Sequence, residues 1–190
     1  MIIKFYITYM KLTRDSSSES GIAYILQTKK NKIGINVDAG DMQIFLSEQK
    51  KDTKGLFHWA GEYEMNGTSF FLSQPVGKHS LAKIFVEGVR FVCFNDEGIT
   101  EVTDELVKTF GNTDILIIEK SAPNESGEET GLKKADLKKL IEKVDPRVLI
   151  SSKGKTELVL KEFSYPFQET QNYSITKASL PSDTSEYIIL

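Results

Sequence analysis

The stretch HWAGEYEMNG, residues 58–67, brings together one of the chain's two histidines, its single tryptophan and two glutamates two positions apart. An imidazole beside paired carboxylates is the material of general acid–base chemistry or of a metal site. The same segment closes on Asn66-Gly67, the dipeptide of a tight hairpin, and Gly61 lets the chain bend ahead of Glu62. If the segment is extended, Glu62 and Glu64 project to one side. At least one of them is then expected to bond backbone amides or a lysine. The remaining reactive side chains are sparse. His79 stands in the turn VGKHS, and Cys93 is the only thiol. A nucleophilic cysteine needs a base and an electropositive niche. Cys93 sits inside the apolar run VRFVCF with no histidine nearby, which reads as a buried, inert thiol. Two histidines and one cysteine in 190 residues cannot furnish a binuclear, histidine-rich metal site. His58 and His79 read as surface or structural residues.

The elements that must position these groups change character midway. Short bursts of β-rich sequence come first: IIKFYITY (2–9), IAYILQT (22–28), KIGINV (32–37), MQIFLS (42–47), TSFFLS (68–73), LAKIFVEG (81–88) and VRFVCF (89–94). Their connectors, Lys29-Lys30-Asn31, Asp38-Ala39-Gly40, Asn66-Gly67 and Glu87-Gly88, have turn chemistry. After residue 95, helices alternate with wholly apolar strands, the pattern of strands covered by crossover helices. EVTDELVKTFG spaces Val102, Leu106 and Phe110 four apart and stops at Gly111. LKKADLKKLIEKVDP carries one stripe of Leu137, Leu140, Ile141 and Val144 and ends at Asp145-Pro146. A third helix is expected from Thr156 to Phe163. The strands DILIIE (114–119) and RVLISS (147–152) lie between them, and YSIT and EYIIL close the chain. SAPNESGEETG (121–131) is polar and reads as an exposed loop, as does the run Ser16 to Ser20.

Hydrophobic residues make up 39% and charged residues 27%, the balance of a soluble protein, and no run approaches the roughly 20 apolar residues of a membrane helix. A formal charge of −3 supplies no global attraction to nucleic acid or to an anionic membrane. One cysteine rules out an internal disulfide. With an N-terminus that alternates too regularly for a signal peptide, it points to the cytoplasm. The length suits a single domain over residues 1–190.

The order of these segments resembles the metallo-β-lactamase fold, in particular the small bacterial branch of zinc-dependent hydrolases related to the ascorbate-phosphate lactonases. That branch carries a PGEYE-x-x-G turn, a G-[LV]-R-[IV]-x-H-x-GD-x-G segment, a VD-[VI]-L-[LI]-[LI]-P strand and an x-P-[KR]-[VI]-[VI]-I-P-x-H strand. The equivalents here are AGEYEMNG (60–67), GVRFVCFNDEG (88–98), TDILIIEK (113–120) and DPRVLISSK (145–153), and LPSDTSEYIIL matches the C-terminal pattern. The resemblance spans nearly the whole chain. It implies an α/β architecture (α+β by some schemes), a four-layer αββα sandwich reduced in size. It also places the GEYE turn in the scaffold beside the site rather than among the metal ligands.

The resemblance further locates the ligand positions. After MQIFLS the family carries H-x-H-x-D-H; here Glu48 and Lys50 take the first two histidine positions, Asp52 keeps the aspartate and Thr53 takes the last. Cys93 falls at the histidine of the next segment, Asp96 at its aspartate, and Lys153 at the final histidine. A degenerate member, with its zinc ligands replaced and no cofactor, is therefore expected. The ammonium groups of Lys50 and Lys153 would pair with Asp52 and Asp96, since buried acids left unpaired cost several kcal/mol. An alternative keeps Glu48, Asp52 and Asp96 as an all-oxygen site for a divalent ion such as Mg²⁺ or Mn²⁺ in a divergent hydrolase. Another makes Lys50, Lys51 and Lys153 an anion pocket. The favoured expectation is a catalytically inactive domain acting as a binding or scaffold subunit, with an unidentified protein partner or a second copy of itself. The loop from Ser121 to Gly131 is a candidate contact surface or flap.

Overall fold

A computed structural model of the chain describes residues 9–16, 22–46, 54–76, 79–121, 126–128 and 130–190. Fourteen strands are present among them: β1 (Met10–Arg14), β2 (Tyr24–Gln27), β3 (Lys32–Ile35), β4 (Met42–Ile44), β5 (Leu56–Phe57), β6 (Gly61–Met65), β7 (Thr68–Val76), β8 (His79–Val86), β9 (Val89–Asn95), β10 (Ile115–Glu119), β11 (Val148–Ser151), β12 (Phe167–Glu169), β13 (Tyr173–Ile175) and β14 (Glu186–Ile189). Three α-helices join them, α1 (Asp104–Phe110), α2 (Lys134–Val144) and α3 (Lys155–Lys161), with one short 3-10 turn at Lys177–Ser179. The strands build two sheets. One has the order β13-β1-β2-β3-β4-β5, the other β12-β14-β11-β10-β9-β8-β7-β6.

The turn chemistry read from sequence sets the hairpins. Asn66 and Gly67 have φ of 52° and 78°, and Met65 pairs directly with Thr68, so these two residues make the whole connection from β6 to β7. Glu87 and Gly88, with φ of 49° and 80°, do the same between β8 and β9. Positive φ at both central positions matches the strand twist. From β9 onward the eight-stranded sheet turns parallel through β10, β11, β14 and β12.

Those parallel strands are apolar on both faces because each face has its own core. Phe91, Cys93, Ile115, Ile117, Val148 and Ile150 pack inward against the other sheet. Their neighbours Val92, Phe94, Leu116, Ile118 and Leu149 pack outward against the helices. The helices are set by local signals. Thr103 caps α1 by accepting from the Leu106 N–H at 3.1 Å. Leu137, Leu140 and Ile141 form the buried stripe of α2, and Asp145 ends it in the left-handed region. Among the described residues the helices pack on the outer face of the eight-stranded sheet.

Several expectations shift. GEYE is the strand β6 itself, at the edge of the larger sheet, rather than a turn before it. The first strand is described only from Met10, and most of the expected segment 2–9 lies outside the described residues. The two- and three-residue strands β5 and β12 are too short to leave a periodic trace. The YSIT strand, β13, crosses to the smaller sheet and pairs with β1.

Candidate functional site

The parallel strands β9, β10 and β11 end side by side, and their carboxyl ends deliver Asp96, Glu119, Lys120, Ser151 and Ser152 to one place. Ligands of open parallel sheets gather at such ends. Here the side chains turn to each other instead. Asp96 has no exposed surface, and one carboxylate oxygen, Oδ1, accepts from the Ser121 N–H at 2.6 Å. The other, Oδ2, accepts from the Leu132 N–H at 3.0 Å and from the Lys120 ammonium at 3.4 Å. The Lys120 ammonium also donates to the Leu132 carbonyl, and its side chain is only 3% exposed. Asp96 thus fastens both described ends of the 121–131 loop, and Gly131 passes so close that a Cβ there would overlap the carboxylate.

Glu119 is the second buried acid, and three donors reach it. The Tyr24 hydroxyl (2.8 Å) and the Ser152 N–H (2.6 Å) meet Oε1, and the Thr156 hydroxyl (2.9 Å) meets Oε2. Thr156 in turn accepts the Lys120 N–H at 2.9 Å, which joins the two acids into one network. Burial raises the Glu119 pKa above the ordinary glutamate value of 4.5, with the bonds from Ser152, Tyr24 and Thr156 opposing it. Nearby, Ser151 Oγ and Tyr187 Oη lie 2.6 Å apart, and burial raises the phenol's pKa. The Cys93 thiol is fully buried in the core between the sheets, and burial pushes it up to about 12. It is inert at neutral pH, as its apolar surroundings in the sequence indicated.

Of the residues singled out from sequence, Asp96 and Cys93 lie on or just beyond β9, Asp96 at the strand ends and Cys93 in the core. Glu48, Lys50, Lys51, Asp52 and Thr53 lie outside the described residues. Lys153 does not pair with Asp96. Its side chain is 66% exposed and its ammonium sits 3.0 Å from Glu169 on β12. The ammonium beside Asp96 is that of Lys120, from the end of the neighbouring strand. Glu62 and Glu64 share the outer, exposed side of β6, but neither makes a hydrogen bond or ion pair among the described residues. His58 is buried, its ring 4.8 Å from that of Trp59, and is therefore structural. The backbone of His79 begins β8, and its side chain lies outside the described ones.

Zinc requires imidazole, thiolate or carboxylate ligands with lone pairs to spare. At the strand ends each carboxylate accepts three hydrogen bonds, and a lysine stands beside Asp96. No group of three or more His, Cys, Asp or Glu side chains among the described residues is arranged to hold a metal ion. The described donors at the strand ends do not fit a zinc site, while positions 48–53 lie outside the described residues.

Two facing sheets, with helices on the outer side of the larger one and the parallel strand ends gathered at one rim, match the fold of metallo-β-lactamase-like proteins of known structure. Among solved structures the chain is similar to a Thermotoga maritima protein described as a Zn-dependent hydrolase of the metallo-β-lactamase superfamily. The two are 16% identical over 95% of this chain and 98% of that one, with a TM-score of 0.72. It is also similar to YhfI, a metallo-β-lactamase fold protein of Bacillus subtilis (11% identity, 96% of each chain, TM-score 0.60). A third likeness is to Igni18, a metallo hydrolase of Ignicoccus hospitalis (11% identity, 76% of this chain and 82% of that one, TM-score 0.51). No family model matches the sequence, and no curated protein matches it. At these identities the likeness is one of fold.

Proposed function

We propose that the chain is a catalytically inactive, degenerate member of the metallo-β-lactamase fold, related to the small hydrolase branch that includes the ascorbate-phosphate lactonases. In this reading residues 1–190 form one domain that serves in the cytoplasm as a binding or scaffold subunit. The observation that carries it is the state of Asp96. This aspartate, at a ligand position by resemblance, is fully buried and spends both oxygens on two backbone amides and the Lys120 ammonium. Three donors already occupy its carboxylate, and the ammonium among them repels a cation. Glu119 is occupied by three donors of its own. Glu48, Lys50, Thr53, Cys93 and Lys153 stand at the other ligand positions that the resemblance marks as histidines, which supports the same reading.

Elemental analysis tests it directly. Protein purified from cells grown with zinc, manganese and iron is expected to carry far less than one metal ion per chain, and to leave lactone, phosphodiester and thioester substrates unhydrolysed. A stoichiometric metal accompanied by turnover, lost on substituting Glu48, Asp52 or Asp96, would establish the divergent carboxylate-site hydrolase instead.

A further inference from the structure

The outer face of the larger sheet is covered by helices over β9, β10 and β11 and over the start of β8 at Leu81. Beyond that, the antiparallel strands β6, β7 and β8 show an open face. Cross-strand register arranges it in two rows: Glu62 beside Phe71 beside Lys83, and Glu64 beside Ser69 beside Phe85 beside Arg90. Read along the strands instead, the face is acidic on the edge strand β6, carries Phe71 on β7 and Phe85 on β8, and has its cations beyond each, Lys83 on β8 and Arg90 on β9. The Lys83 ammonium lies 4.7 Å from the Phe71 ring centre and the Arg90 guanidinium 5.6 Å from that of Phe85, so both cations lean over these rings. Phe85 is 47% exposed.

The charges on this face do not neutralise one another within the chain. Strands lie about 4.8 Å apart, so across the sheet Glu62 is about 10 Å from Lys83 and Glu64 about 14 Å from Arg90, beyond ion-pair reach. Glu62, Glu64 and Lys83 make no hydrogen bond or ion pair among the described residues. Arg90 reaches only Asp114, at 3.9 Å, with its side chain 49% exposed. A two-fold axis lying in the plane of the face and running along β7 carries the acidic edge strand of one copy over β8 of the other. Glu62 then meets Lys83 of the second copy, Phe71 meets its own counterpart on the axis, and Glu64 comes over Phe85, where the Arg90 guanidinium leans. An isologous contact requires this kind of self-complementarity.

We infer that this face binds the same face of a second copy, forming a two-fold dimer by sheet-on-sheet packing. Edge-to-edge pairing of β6 about Tyr63 is disfavoured, because it would set Glu62 directly opposite Glu64 of the other copy. The inference supplies a partner for the binding role proposed above, yet it is read out by mass, whereas the inactive reading is read out by metal content and turnover. Either can fail alone.

Sedimentation velocity over a concentration series is expected to show twice the 21.4 kDa chain mass, shifting toward one chain as salt is raised. The double variant Glu62→Lys/Glu64→Arg makes the face wholly basic, and Lys83→Glu/Arg90→Glu makes it wholly acidic. Each is expected to be monomeric with an unchanged circular dichroism spectrum, and an equimolar mixture of the two should recover the dimer mass. A wild-type chain that stays monomeric at every soluble concentration overturns the inference. So do variants that keep the dimer mass, which would place the contact elsewhere, and monomeric variants whose mixture does not associate.

Discussion

Asp96 brings a negative charge into a place without solvent, and three groups from two segments meet it there: Lys120 and Ser121 just beyond β10, and Leu132 before α2. Replacing it with Asn keeps the shape but leaves the Lys120 ammonium buried without a counter-charge. It also turns one acceptor into a donor facing an N–H group. Breaking a buried pair from one side costs about 3–5 kcal/mol. Asp96→Asn is therefore expected to lower the unfolding free energy by about 3 kcal/mol in urea titration, and Asp96→Asn/Lys120→Met to recover part of the loss. Additive effects of the two changes would show that the side chains are not coupled. The resemblance singled out Asp96, and the cost of a buried, unpaired charge called for a lysine beside it. The partner's identity was not legible, because Lys120 lies 24 residues further along the chain and comes into range only when β9 and β10 align. Lys153 had the same credentials in sequence, a lysine following an apolar strand, and is drawn away by Glu169 on β12, a strand too short to foresee.

At the scale of elements, the strands with strong alternation or unbroken apolar runs and the helices with clear caps were readable, because their signals are local. The match of Asn66-Gly67 and Glu87-Gly88 to hairpins, and of Gly111 and Asp145 to helix ends, follows from backbone conformations that few residues tolerate. The return of the 121–131 loop was not readable, since nothing local says that a polar, glycine-containing segment ends against a buried carboxylate. Gly131 makes that return possible for want of a Cβ. Gly131→Ala must push the loop and Asp96 apart, and overpacking of this kind costs about 1–3 kcal/mol. The variant is expected to lose about 2 kcal/mol of stability and to speed amide exchange at Ser121 and Leu132, whose N–H groups Asp96 accepts. Unchanged exchange at those two amides would mean that the loop is not held by the carboxylate.

Across the whole molecule, the two sheets meet through an apolar core that carries a polar tie at its rim. Tyr24 belongs to β2 of the smaller sheet and Glu119 to β10 of the larger, and their 2.8 Å hydrogen bond spans the sandwich. The acid's burial gives the fold a pH dependence of definite sign. Below 4.5 the folded and unfolded chains both hold the Glu119 proton, and the tie is at full strength. As the pH rises from there through the elevated folded-state value, the unfolded chain has released the proton while the folded chain keeps it, so this residue's contribution to stability falls. Above that value the contribution is constant at its lower level. Glu119→Gln removes the titration while its carbonyl still accepts from Tyr24 and Ser152 and its amide can donate to Thr156. Urea midpoints measured from below 4.5 to neutrality should therefore show the Gln variant gaining on the wild type across that window and holding its gain above it. A difference that stays flat with pH would mean that the three donors outweigh burial and keep Glu119 ionised, in which case the tie between the sheets is a charged one.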